Sequence, residues 1–113
     1  MTGAGRLADN RTPAALAMLA LLAAGAPASA QDAVQDMAKS CFTCHGPLGV
    51  STSPLIPIIA GQNARYLSGA MKAYRDGLRG GDPSKMMVEP MRGMTDAAAE
   101  ALAAFFAGVK GAR

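Results

Sequence analysis

A pentapeptide in the first half of the chain, Cys41-Phe42-Thr43-Cys44-His45, constrains the fold more than any other feature of the sequence. Two cysteines three positions apart, followed at once by a histidine, form the attachment run of c-type haem. Each thiol can add to one vinyl group of the porphyrin, and the adjacent imidazole can bind the iron as its proximal ligand. The run therefore predicts one covalent haem c, held by Cys41 and Cys44, with His45 as an iron ligand.

Other uses of these side chains require features that the sequence lacks. A structural zinc site takes four ligands, usually from two Cys/His pairs, whereas the chain has two cysteines and one histidine. A redox dithiol of the thioredoxin type accompanies a βαβ pattern, and no alternating β-branched run precedes Cys41. A disulfide between Cys41 and Cys44 would close a very small ring. Attachment of haem is therefore favoured over all three alternatives.

The first thirty residues are predicted to be a secretory signal peptide. Arg6 and Arg11 supply its positive start, the apolar run 14–24 follows, and 28–30 (Ala-Ser-Ala) is the expected cleavage site. Residues 31–113 would then be a monohaem cytochrome domain. The apolar run is short for a bilayer span, and we expect no stable membrane span elsewhere. Because haem is attached to c-type proteins outside the cytoplasm, the signal and the motif together predict a periplasmic protein.

A domain of this length lies near the small end of what folds alone. Small scaffolds often depend on a cofactor for stability, so we expect the haem-free chain to be unfolded or molten. The whole chain has a net charge of +3, and removing Arg6, Arg11 and Asp9 with the signal leaves +2. The two propionates of a haem would largely offset that charge, so nucleic acid is not an expected partner.

Apolar periodicity and capping residues predict three helices and no strand, which is an all-α fold class. The first helix spans about 32–40, with a stripe made of Val34, Met37, Ala38 and Cys41. The second spans about 63–76, with a stripe made of Leu67, Met71, Tyr74 and Leu78. The third begins after Thr95, a good N-cap, and its apolar face holds Leu102, Phe105, Phe106 and Val109.

Two long loops, 46–61 and 78–94, separate the predicted helices. Loops of this length are unusual in a compact domain unless they have a function, and covering a flat cofactor on both sides is one. A second axial ligand from histidine is excluded within one chain, which leaves methionine, the ligand that raises the potential of electron carriers. Met37 and Met71 lie on helical apolar stripes and are expected to be core residues. Met94 directly precedes the Thr95 cap, where an apolar residue often packs as a hydrophobic staple. The remaining candidates, among which periodicity does not choose, are Met86, Met87 and Met91.

The order of these features resembles a class I cytochrome c. It is most similar to the cytochrome subunit of flavocytochrome c sulfide dehydrogenase and to the di-haem "c-four" cytochromes. The similar stretches are 37–41, 56–62, 66–67, 74–79, 86–87 and 95–106. The chain departs from these relatives in having Met94 where Leu or Tyr is common and Met91 where a small residue is common. It also has a single attachment run, so a di-haem carrier would need a second chain.

The resemblance implies a class I cytochrome fold, with about three helices and two long loops wrapped around one haem. It also implies that Met87 is the distal iron ligand, with Met86 and Met91 as fallbacks. The carbonyl of Pro57 is implied to accept a hydrogen bond from the proximal imidazole of His45. Such a bond fixes the orientation of the ring and raises its basicity as a ligand.

The function implied is single-electron transfer in the periplasm, with no catalytic residue, so that the chain is not an enzyme by itself. One role is a shuttle between redox partner proteins. Another is the haem subunit of a dehydrogenase whose flavoprotein subunit oxidises sulfide or another sulfur compound. A haem sensor with an open sixth position is a third, against which the loop methionines argue. The basic residues of the second helix form either a docking face or, as we favour, an ordinary solvated face: Arg65, Lys72, Arg75 and Arg79.

Overall fold

The computed structural model describes residues 27–110, so the positive start and apolar run of the predicted signal lie outside the described residues. The chain divides into two units, Met1–Gln31 and Asp32–Arg113. The helices are α1 Pro27–His45, α2 Ala64–Arg75, α3 Val88–Met91 and α4 Asp96–Ala107, with 3-10 turns at Pro47–Gly49 and Asp82–Met87. No strand occurs between residues 27 and 110, and the all-α fold class is confirmed.

Helix α1 is longer at both ends than the predicted 32–40. Its sequence holds no glycine, and its only proline is at the first position, where the missing N–H costs nothing. The helix therefore continues through the cysteine motif and ends at His45. Gly46 follows with φ of 82° and ψ of 167°, an extended positive-φ conformation that favours glycine, and its N–H donates to the Phe42 carbonyl at 2.9 Å.

Helix α2 forms where the sequence predicts it, because its first turn is capped. The side chain of Asn63 accepts a hydrogen bond from the backbone N–H of Tyr66 at 3.0 Å. The prediction that Leu78 belongs to the buried stripe is wrong, since its side chain is 82% exposed. The helix ends at Arg75, and the N–H of Leu78 turns back to the Ala73 carbonyl at 2.8 Å. Leu78 therefore lies beyond the helical face.

Helix α4 also begins as predicted, with the Thr95 hydroxyl accepting from the N–H of Ala98 at 3.1 Å. The loop before it is not irregular throughout, because it contains the 3-10 turn and the short helix α3. Pro83 lies in the first turn of this 3-10 segment, where proline is well tolerated. The 3-10 turn and α3 together place Met86, Met87 and Met91 on compact, turned backbone.

The core is formed where α1, α2 and α4 meet. Its buried residues are Ala38, Leu67, Leu102, Ala103 and Phe106. Phe42 packs against both aromatic residues of α4, with ring centroids 6.4 Å from Phe105 and 6.1 Å from Phe106. Met37, predicted to lie on the apolar stripe of the first helix, is exposed because α1 buries only a narrow face. The aromatic contacts anchor the part of α1 that carries the cysteine motif.

Candidate haem site

The last turn of α1 brings the three residues of the motif to one side of the helix. Cys41, Cys44 and His45 stand at positions i, i+3 and i+4, which share a helical face. Both cysteines are free thiols, with Cys41 half-buried and Cys44 exposed. Burial raises the pKa of the Cys41 thiol, whereas reactive redox cysteines have a lowered pKa. The two thiols and the imidazole lie on one face of the last turn of α1, as attachment of a single group at all three requires.

His45 is buried, and its ring is oriented by one hydrogen bond. Nδ1 lies 2.8 Å from the carbonyl oxygen of Pro57. Because a carbonyl can only accept, Nδ1 must carry the proton and donate it. The neutral ring then has its free lone pair on Nε2, which is the atom available to a metal. Two thiols and an imidazole presenting Nε2 fit a covalent haem, and the residues that would hold it are Cys41, Cys44 and His45.

The hydrogen bond to Pro57 depends on how the first loop is folded. The N–H groups of Ile59 and Ala60 both donate to the Gly49 carbonyl, at 3.0 and 3.2 Å. The N–H of Gly61 donates to the Phe106 carbonyl at 2.8 Å, which ties the loop to α4. These bonds lie just after Pro57 along the chain and so restrain its position opposite the His45 ring.

Gly49 allows this close approach and is the subject of a stability prediction. Its φ is +80°, and a Cβ there would lie 2.8 Å from both the Ile59 side chain and the Phe106 ring. Gly49→Ala is therefore expected to lower the free energy of unfolding of the holoprotein by about 2 kcal/mol, through backbone strain and crowding. Denaturant unfolding would measure this difference.

The matched control is Gly69→Ala, because Gly69 lies inside α2 and a Cβ there meets nothing within 4 Å. It should stabilise the holoprotein by roughly 0.5–1 kcal/mol, since alanine favours a helix interior. Equal effects from the two substitutions would contradict the role given to Gly49.

The three loop methionines lie in three different environments. Met91, the last residue of α3, is buried with 3% exposure. Met86 is 63% exposed, and Met87 is half-buried at the end of the 3-10 turn. Met71 and Met94 pack against the core, as their predicted structural roles require.

Three of the four basic residues considered as a docking face are engaged within the chain. Lys72 pairs with Glu100 of α4 at 3.0 Å. Arg79 donates to the Tyr66 hydroxyl at 3.3 Å and lies over the Tyr74 ring. Arg75 bridges two carboxylates, an arrangement that nothing in its spacing along the sequence signals. These contacts support the interpretation of an ordinary surface rather than a free basic patch.

Residues 27–110 show neither a membrane-spanning helix nor a cluster of metal-ligating side chains. No helix in this part combines the length and apolar character that crossing a membrane requires. No group of three or more His, Cys, Asp or Glu side chains is arranged there to hold a metal ion.

Comparison with known proteins places the chain among haem proteins. The family model described as Cytochrome c matches residues 30–110. The chain is 41% identical to the "Thiosulfate dehydrogenase electron acceptor" of Stutzerimonas stutzeri over 69 residues, which are 61% of this chain and 32% of that protein. It is 36% identical to "Cytochrome c-554(548)" of Halomonas halodenitrificans over 72 residues, 64% of this chain and 87% of that protein.

A third relative is "Cytochrome c4" of Azotobacter vinelandii, 39% identical over 83 residues, which are 70% of this chain and 40% of that protein. The chain therefore spans about a third of the Stutzerimonas stutzeri protein and two fifths of this cytochrome c4, but most of cytochrome c-554(548).

Proposed function

Because this chain belongs to the cytochrome c family, we propose that it is a periplasmic carrier of single electrons with one haem c between His45 and Met87. Electron transfer and covalent haem c follow from the family, and the chain is not an enzyme by itself. The observation that carries the proposal is the His45 ring, buried, with Nδ1 donating to Pro57 at 2.8 Å. That bond leaves Nε2 as the donor towards an iron atom.

Each residue of the site has a distinct task. Cys41 and Cys44 hold the group by thioether bonds, so that it cannot dissociate between partners. Pro57 fixes the His45 ring and increases its basicity. When bound, the haem supplies an iron that changes between ferrous and ferric states. The chain's own contribution is to keep the ring orientation the same in both.

Met87 is the proposed distal ligand, and its surroundings support it over its neighbours. The Met91 side chain is enclosed by protein, so its sulfur would have to leave that packing to reach an iron. The Met86 side chain projects largely into solvent. Met87 is half-buried on the compact 3-10 turn, between these two extremes, and it is the residue that the resemblance implies as the ligand. If His45 and Met87 both bound the iron, no coordination position would remain open for a substrate, which favours electron transfer.

A single haem is supported by the single attachment run, which uses every cysteine and histidine of the chain. The 87% coverage of cytochrome c-554(548) fits a relative of similar size. Periplasmic location rests on the predicted signal at residues 1–30.

Absorption spectra of the holoprotein test the proposed ligation. The reduced protein should give one unsplit α band, and the oxidised protein the weak long-wavelength band of sulfur-to-iron charge transfer. Rapid binding of carbon monoxide to the reduced protein would instead indicate an open sixth position and would favour a haem sensor.

A more specific role is acceptance of electrons from a dehydrogenase of sulfur compounds. Two relatives, from Stutzerimonas stutzeri and Thiomonas intermedia, are named thiosulfate dehydrogenase electron acceptors. The donor would be such a dehydrogenase or, as the alternative, a flavoprotein subunit that oxidises sulfide. Stopped-flow reduction of the ferric protein by each donor would distinguish the two, since the physiological donor should react far faster.

The salt dependence of that reaction is a further prediction. Since Lys72, Arg75 and Arg79 are engaged within the chain, the rate constant should change only a few-fold between low and physiological ionic strength. The rate constant for electrostatically steered association between strongly charged faces falls much more steeply as ionic strength rises. A steep fall would restore the basic face of α2 as a docking surface.

A further inference from the structure

Arg75, at the end of α2, contacts the far end of the segment that carries the loop methionines. We call residues 82–94 the Met loop. Nη1 of Arg75 donates to the Met94 carbonyl at 3.0 Å and to the Asp96 carboxylate at 2.6 Å. Its Nε and Nη2 donate to Oδ1 and Oδ2 of Asp76, at 2.7 and 3.1 Å. One planar guanidinium thus joins α2, the last residue of the Met loop and the first residue of α4.

The Met loop is held close to α2 at both ends. Before it begins, the N–H groups of Leu78 and Arg79 donate to the Ala73 carbonyl at 2.8 and 3.2 Å. Where it ends, Arg75 holds the Met94 carbonyl, and the N–H of Met94 donates to the Met91 carbonyl at 3.1 Å. The backbone between these two anchors consists of the 3-10 turn and α3.

We propose that Arg75 is a positioning residue for the axial methionine, which it holds against the iron by fixing the end of the Met loop to α2. This inference rests on the His/Met ligation proposed above. A loop whose end is fixed loses less conformational freedom when its sulfur binds, so the bond resists competing ligands. Without the anchor, the loop would open more easily while the fold remained.

The geometry favours arginine for this task. A guanidinium has five donors in a planar fork, which allows it to bind a carboxylate with two bonds and a carbonyl with a third. A lysine ammonium is a compact charge and cannot reproduce that arrangement. The Arg75 side chain is only 22% exposed, so water competes little for these bonds. The same guanidinium, by hydrogen bonding to both carboxylates, lowers the pKa of Asp76 and of Asp96 below the ordinary value.

The chain supplies a matched control for a purely structural role. Lys72 also links α2 to α4, through Glu100 at 3.0 Å, and its side chain is nearly as shielded as that of Arg75. Its hydrogen bond goes to Glu100 of α4 and not to the Met loop. Lys72→Gln therefore weakens the same helix pair without releasing the loop.

The experiment titrates imidazole into the ferric holoproteins of wild type, Arg75→Lys and Lys72→Gln and follows loss of the sulfur-to-iron band. Arg75→Lys should lose the band at an imidazole concentration about tenfold lower than wild type, equivalent to about 1.4 kcal/mol. Lys72→Gln should stay within about twofold of wild type, even if its melting temperature falls. Asp76→Asn, which removes one partner of Arg75 and leaves Met94 in place, should give an intermediate shift and serves if Arg75→Lys fails to hold haem.

Equal shifts in Arg75→Lys and Lys72→Gln would overturn the positioning role, because both would then report general loosening. If the wild type shows the band, and Arg75→Lys and Asp76→Asn lose it at the same imidazole concentration as the wild type, the positioning role is overturned while His/Met ligation stands. Absence of the band in the wild type would overturn the proposed ligation and this inference together.

Discussion

The double variant Cys41→Ala/Cys44→Ala is expected to lose covalent haem and, with it, cooperative unfolding. Phe106 and Leu102 are the largest side chains buried fully within residues 27–110. A core of this size is at the limit of what a small domain can use to offset chain entropy, and such domains rely on a bound group for the remainder. Thermal scans by far-ultraviolet circular dichroism should show a broad, shallow change for this variant and a sharp transition for the wild type.

The single variant Cys44→Ala is the control, because Cys41 retains one thioether and His45 remains in place. It should keep haem and a sharp transition at a lower temperature. Peptide mass measurement locates the attachment, since trypsin cleaves after Lys39 and Arg65 and leaves the whole motif in one fragment. A sharp transition in the haem-free double variant would contradict the dependence of the fold on its cofactor.

Met87→Ala is expected to abolish the sulfur-to-iron band and to lower the reduction potential by on the order of 100 mV, within the roughly 0.8 V over which axial ligands tune haem. The substitution removes the Met87 sulfur, which is the axial ligand that favours ferrous iron. Spectra of the ferric protein and a potentiometric titration would measure both effects. Carbon monoxide should also bind the reduced variant rapidly, because a coordination position becomes available.

Met86→Ala and Met91→Ala separate ligation from packing. Met86 is largely exposed, so its replacement should leave both the band and the stability almost unchanged. Met91 is buried, so its replacement should cost about 2–5 kcal/mol of stability while the band persists. Persistence of the band in Met87→Ala, together with its loss in either of the other two, would transfer the ligand role to that residue.

Local sequence signals predicted α2 and α4 well, because the interactions that start them lie within a few residues. Asn63 and Thr95 each accept a hydrogen bond from the N–H three residues later, and capping of this kind depends little on tertiary structure. The pentapeptide predicted a haem attachment run at Cys41, Cys44 and His45, but the predicted helix ended at about residue 40, and the structure continues it through the motif to His45. The resemblance supplied Pro57, whose hydrogen bond to His45 spans twelve positions.

Features set by contacts between distant segments were not predicted. The exposure of Leu78 depends on the turn that follows Arg75, where the N–H of Leu78 donates to the Ala73 carbonyl, whereas the apolar period extends straight through this turn. The turns of the Met loop are stabilised by neighbours and by anchors at each end rather than by an apolar repeat. The ion pair between Arg75 and Asp96 joins residues 21 positions apart, and no local sequence motif indicates such a pair. Export and the identity of the redox partner remain predictions from the first thirty residues and from the relatives.

A spectropotentiometric titration of the purified holoprotein tests the central claim most directly. We expect one haem per chain and a single one-electron transition, in which the reduced α band appears on the same curve as the sulfur-to-iron band disappears. That result would establish one haem that exchanges one electron with sulfur bound throughout the oxidised state. Two separate transitions, or a haem whose oxidised form lacks the sulfur band, would contradict a single carrier centre ligated by His45 and Met87.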